Sequence, residues 1–134
     1  MIGVTSGSRA DDDPPAISAN VIEFATYVRN NNGVVYCGLY DEKGWLKNAL
    51  MPAKARIANG RALCVFRNVA PGTYGISAIH DENNNGKLDT NFIGMPTEDY
   101  CASRNARGFM GPPRFTDAKF PYKGKLLRLT VSMK

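Results

Sequence analysis

The chain has 134 residues, 43% of them hydrophobic and 22% charged, with a formal net charge of +5. This composition excludes a wholly disordered chain and fits one domain able to bury a core without a disulfide scaffold. No stretch nears the roughly 20 apolar residues of a membrane helix. Lys and Arg are too dispersed to suggest a sequence-specific nucleic-acid surface.

Residues 1–15, MIGVTSGSRADDDPP, lack the basic and apolar regions of an intact signal peptide. Their Gly, Ser, Asp and Pro content reads as a flexible leader, leaving residues 16–134 as a single domain. After the leader, β-like runs alternate with turn signals. Residues 21–28 and 34–40 flank Asn30-Asn31-Asn32-Gly33, which predicts a hairpin. In the second run Val35, Cys37 and Leu39 share one face, and Val34, Tyr36 and Tyr40 the other. Residues 41–53 have room for a short helical turn. Residues 54–58 and 61–69 flank Asn59-Gly60, a pair suited to the positive φ angles of a type I′ turn. Ala62, Cys64 and Phe66 then alternate with Leu63, Val65 and Arg67. Pro71-Gly72 marks another turn, and residues 73–80 follow as a strand with Tyr74, Ile76, Ala78 and His80 on one face. A Tyr just after such a turn suits a hydroxyl-anchored corner.

Residues 81–122 are polar and rich in Gly, Pro and Asn. A connection of that length is uncommon unless functional or tied down. The last run, residues 126–133, alternates Leu127, Leu129, Val131 and Met133 with Arg128, Thr130 and Ser132, the period of a half-buried strand. The whole predicts an all-β antiparallel sandwich of about seven or eight strands with one long functional loop. Its expected core contains Leu39, Phe66, Ile76, Ala78, Leu127 and Leu129.

The distinctive chemistry opens the long segment. Residues 81–89, DENNNGKLD, fit D-x-N-x-N-G-x-x-D. Calcium takes six to eight oxygens, and alternating oxygen side chains in a tight curl converge on such an ion. Asp81, Asn83, Asn85 and Asp89 are the candidate ligands, with the Lys87 carbonyl at the seventh position. Gly86 permits the turn. Position twelve is Phe92 rather than Glu, so this is no EF-hand. Glu98, Asp99, Asp117 or water would complete the shell. The competing reading is a turn capped by its own Asn and Asp side chains.

His80 is the single histidine and has no nucleophile motif beside it. It reads as structural, and the chain as no enzyme. Phe109, Phe115, Phe120 and Tyr122 with Arg104, Arg107 and Arg114 read chiefly as pinning the long loop. The alternative is a carbohydrate or small-ligand module built on residues 104–122. Of the three cysteines, Cys37 and Cys64 share faces with Leu39 and Phe66 and are expected to point inward. They form either an inter-sheet disulfide or two buried thiols. Cys101 falls outside that pattern.

Several stretches together resemble an uncharacterised bacterial family, domain of unknown function 2141. These are FRNVAPGTY (66–74), AIHDENNNG (78–86), KLDTN (87–91), GMPTEDY (94–100), SRNARG (103–108) and GPPRFTDAKF (111–120). The PGTY turn is shared with transthyretin-like and carboxypeptidase-regulatory-like sandwiches. The resemblance implies an exported protein, secreted, periplasmic or at the cell surface, with an immunoglobulin-like or transthyretin-like sandwich and no established activity. It carries over Asp81, Asn83, Asn85, Gly86, Asp89 and Glu98. The chain departs from it at Cys37, Cys64 and Cys101. The expected function is therefore a calcium-binding structural or interaction module whose partners are assembly proteins, further copies of itself, or glycans.

Overall fold

The structure, a computed structural model, describes residues 19–84, 99–108 and 111–133. Residues 1–15, expected as a leader, lie outside them. Among the described residues eight strands form: β1 (Ile22–Tyr27), β2 (Val34–Tyr40), β3 (Met51–Ala58), β4 (Arg61–Phe66), β5 (Gly72–Asp81), β6 (Tyr100–Ala102), β7 (Phe120–Tyr122) and β8 (Leu127–Ser132). A 3-10 turn spans Ser103–Asn105, and a short helix spans Phe115–Ala118. Residues 42–47 form turns, and the Asn48 N–H donates to the Gly44 carbonyl at 2.8 Å, a single α-type turn within the expected span 41–53.

The strands run in one hydrogen-bonded path, β6-β5-β2-β3-β4-β1-β8, with β7 on β5 beside it. Two expectations change here. The sheet is mixed, because β1 and β8 run parallel, Ile22 opposite Leu127 and Tyr27 opposite Ser132. The path also curls toward closure, with β8 packed near β6 and the 3-10 turn. A sandwich of two separate antiparallel sheets, immunoglobulin-like or transthyretin-like, fits this barrel-like sheet poorly. The reason lies in β3. Its first six residues pair with β2, while Ile57 and Ala58 pair with β4, so one strand carries the sheet around the bend. Pro52 sits in the half of β3 that has a partner on one side only, which is where a strand tolerates a missing N–H.

The expected hairpin between residues 21–28 and 34–40 does not form. β1 pairs with β4 and β8, and β2 with β3 and β5. Asn30 and Asn31 hold the connection otherwise. Asn30 Oδ1 accepts from Asn32 N at 2.9 Å, and Asn31 Oδ1 accepts from Gly60 N at 2.8 Å. The Asn59-Gly60 hairpin forms as expected, at φ 54° and 73°, joining β3 to β4.

The core follows the alternation. Val35, Cys37, Leu39, Ala62, Cys64, Phe66, Ile76 and Ala78 are all buried. Leu127 and Leu129 are only half-buried, since β8 has a strand on one side alone, and Val131 and Met133 take the buried places at its end. Cys37 on β2 and Cys64 on β4 are joined in a disulfide, with Cα atoms 6.5 Å apart. Cys101 is a buried free thiol near the Thr26 hydroxyl.

Candidate functional site

The expected ion loop leaves the sheet at the end of β5. Asp81 is its first residue and the last of the strand, and its side chain is fully buried. The connection before β2 presses on it, for a Cβ on Gly33 would collide with the Asp81 carbonyl, and Gly33 has φ +72°. Asn84 takes φ 55° and its N–H donates to the Asp81 carbonyl at 3.2 Å, so the chain begins to curl at once. Glu82 accepts from Asn30 Nδ2 at 3.1 Å, tying the loop's first turn to the 30–33 connection. Asn83 and Asn84 are exposed. The remaining candidate ligands, Asn85, Lys87, Asp89 and Glu98, and the turn residue Gly86, lie outside the described residues.

Two neighbouring residues brace this end of the barrel. His80 is fully buried, and its Nε2–H donates to the Asn32 carbonyl at 2.6 Å. Its backbone N–H donates to the Asp99 carbonyl at 2.9 Å. Asp99 accepts from Arg29 at 3.1 Å, an ion pair joining the end of β1 to the start of β6. Since Ile79 pairs with Tyr100, Asp99 shares the face of His80 and not that of Asp81. Asp117 is elsewhere, on the short helix, paired with Arg114 at 3.2 Å. Neither Asp99 nor Asp117 is therefore placed beside Asp81 to complete a shell. Among the described residues, which hold Asp81 and Asn83 of the proposed set, no group of three His, Cys, Asp or Glu could hold a metal.

In the second candidate region Phe115, Phe120 and Tyr122 are buried and pack residues 115–122 against the barrel; Phe109 lies outside the described residues. Arg104, Arg107 and Arg114 are exposed. Tyr74 makes the expected corner, its hydroxyl donating to the Ala70 carbonyl at 2.6 Å.

The sequence reading missed two anchors. Ser103 is fully buried, accepts from Ile76 N at 2.9 Å and donates to the Ala118 carbonyl at 2.6 Å. It thus links β5, the 3-10 turn and the short helix. Trp45 lies edge-on to Tyr40 and Phe115, with centroids 5.3 and 5.7 Å away, and its Nε1–H donates to the Pro113 carbonyl at 2.9 Å. Being the single tryptophan was the one sequence signal for that role. No pattern marked Ser103, because its partners are set by tertiary contacts.

These features define a small all-β domain with a mixed, barrel-like sheet and a polar loop following β5. The chain belongs to the family described as "Uncharacterized protein conserved in bacteria (DUF2141)", whose model matches residues 25–129. No curated protein and no solved structure matches it.

Proposed function

We propose that this protein is a non-catalytic, exported module that binds calcium in the loop following β5 and serves in a cell-surface or extracellular assembly. The observation that carries the reading is the position of Asp81. The first residue of the D-x-N-x-N-G-x-x-D run is a buried carboxylate at a strand end, and the left-handed Asn84 begins the curl such a loop needs. A hard cation there would be held by Asp81 with Asn83, Asn85, the Lys87 carbonyl, Asp89 and Glu98, a set of oxygen donors suited to calcium. The buried, hydrogen-bonded His80 supports a bracing role for that residue and weighs against a catalytic one.

With two or three carboxylates among its ligands, the loop suits the weak extracellular range of dissociation constants, ~10⁻⁴–10⁻³ M. Calcium titration of amide resonances tests this. The signals of residues 81–84 should move saturably in the wild type and in Asn84→Ala, whose side chain is exposed. In Asp81→Ala they should not move. Unmoved signals in the metal-free wild-type protein would reduce the loop to a capped turn.

A further inference from the structure

The outer face of β2, β5 and β6 carries a cavity of about 560 Å³ that the calcium reading does not use. Its origin can be read from the strand register. Tyr36, Ile79 and Tyr100 face outward in one row, and Gly38, Ser77 and Ala102 in the next. The first row stands tall and the second is low, so the sheet surface drops beside the three larger side chains. Tyr40 closes the far end, its ring lying over Gly38 closely enough that a Cβ there would meet ring atoms at 2.7–2.8 Å. Leu46, Pro52, Pro112 and Pro113 also line it.

The walls are braced in place. The Trp45 N–H holds the Pro113 carbonyl at 2.9 Å, and the Trp45 ring packs edge-on against Tyr40. The disulfide fixes Cys37, whose residue also borders the cavity from below. Such a hollow does not have to be created when a ligand arrives, which removes part of the ordering cost of binding.

Its chemistry restricts the occupant. The cavity lies within the ~300–1,000 Å³ range of small-molecule sites. Among the described residues lining it there is no Asp, Glu, Lys or Arg, and the nearest charge shown is the Lys54 ammonium, 5.8 Å from the Tyr36 ring centroid, so a cationic ligand would lose its hydration without a counter-charge. The polar groups on offer are the hydroxyls of Ser77 and three tyrosines, while the rings and prolines present apolar faces. A sugar rich in hydroxyls would leave many of them unanswered. A flat ring with one or two polar atoms would not.

We propose that this cavity is a binding site for a neutral, ring-bearing small molecule with one or two hydrogen-bonding atoms. The site is separate from the loop after β5, and the proposal does not rest on calcium binding there.

Indole, neutral and carrying one N–H donor, is the probe, with tryptamine and glucose as the cationic and hydroxyl-rich comparisons. In amide-resolved titrations indole should shift Gly38, Ser77, Ile79 and Tyr100 saturably, with a dissociation constant on the order of 10⁻⁴–10⁻³ M. The two comparisons should bind at least tenfold more weakly. Ser77→Leu, which raises the low row, and Ala49→Trp, on the exposed rim, should each weaken indole at least tenfold. Their unchanged resonances elsewhere would show an intact fold. The proposal is overturned if wild-type shifts do not saturate, if they centre on other residues, or if both filled variants bind indole as well as wild type. It is also overturned if the same amides shift with protein concentration alone, since the occupant would then be a second copy of the chain. Running each titration in chelator and in calcium lets this proposal and the calcium reading fail separately.

Discussion

Cys101 shows how much one buried side chain can set. Its thiol is almost wholly enclosed on the inner face of β6. Burial raises its pKa from 9.0 to about 11, against smaller lowering effects from the Thr26 hydroxyl and Arg107. Below the unfolded thiol's pKa both states are neutral and the fold keeps its full stability. Between the two pKa values the unfolded chain ionises and the folded one does not, so stability falls as pH rises. From about pH 8 to about pH 11 the wild type should lose roughly 2–3 kcal/mol more than Cys101→Ala, as read by urea unfolding. Parallel pH dependence in the two proteins would contradict this account. Ser103 makes a second case. Ser103→Ala leaves the Ile76 N–H and the Ala118 carbonyl without their partner, and should cost roughly 1–3 kcal/mol in the same assay. An unchanged midpoint would mean that the short helix shifts to re-pair both groups.

At the scale of elements, the disulfide ties β2 to β4, the two strands that β3 joins at opposite ends. Cross-linking across a separation of 27 residues should stabilise the fold by about 3–4 kcal/mol through the unfolded state. Urea midpoints with and without reductant, checked against Cys37→Ala/Cys64→Ala, measure it, and equal midpoints would show a bond that constrains nothing. The inward facing of both cysteines was legible because β2 and β4 alternate cleanly. The hairpin over residues 28–34 was misread for an instructive reason. Asn30-Asn31-Asn32-Gly33 does carry turn chemistry, yet that chemistry docks onto Gly60, Glu82 and His80 rather than pairing the flanking strands. Local signals specify a reversal and say little about which strands it brings together. β6 and β7 went unseen because each has three residues, too few for a period to show.

At the scale of the molecule, all-β character and most of the core were legible from period-2 patterning. Closure of the sheet was not, since it depends on β1 lying parallel to β8, at the far end of the chain. Leu127 and Leu129 were assigned to the core from alternation alone, which cannot tell an edge strand from a central one. The loop's candidate chemistry was legible from spacing, because oxygen side chains at alternate positions need no tertiary information to be recognised. The apolar cavity on the outer face was not, because its floor joins residues from three strands.

Calcium held in the loop after β5, as we propose, would stabilise the whole barrel. Thermal unfolding in chelator and in calcium tests it most directly, with metal analysis to confirm that the chelated sample is free of calcium. At ten times the dissociation constant, binding to the folded state alone contributes about 1.4 kcal/mol. For a chain of this size the melting temperature should then rise by roughly 3–6 °C. The rise should vanish in Asp81→Ala, persist in Asn84→Ala and be poorly reproduced by magnesium, which demands a tighter octahedral shell. Coincident melting curves for the metal-free wild-type protein in chelator and in millimolar calcium would contradict the claim.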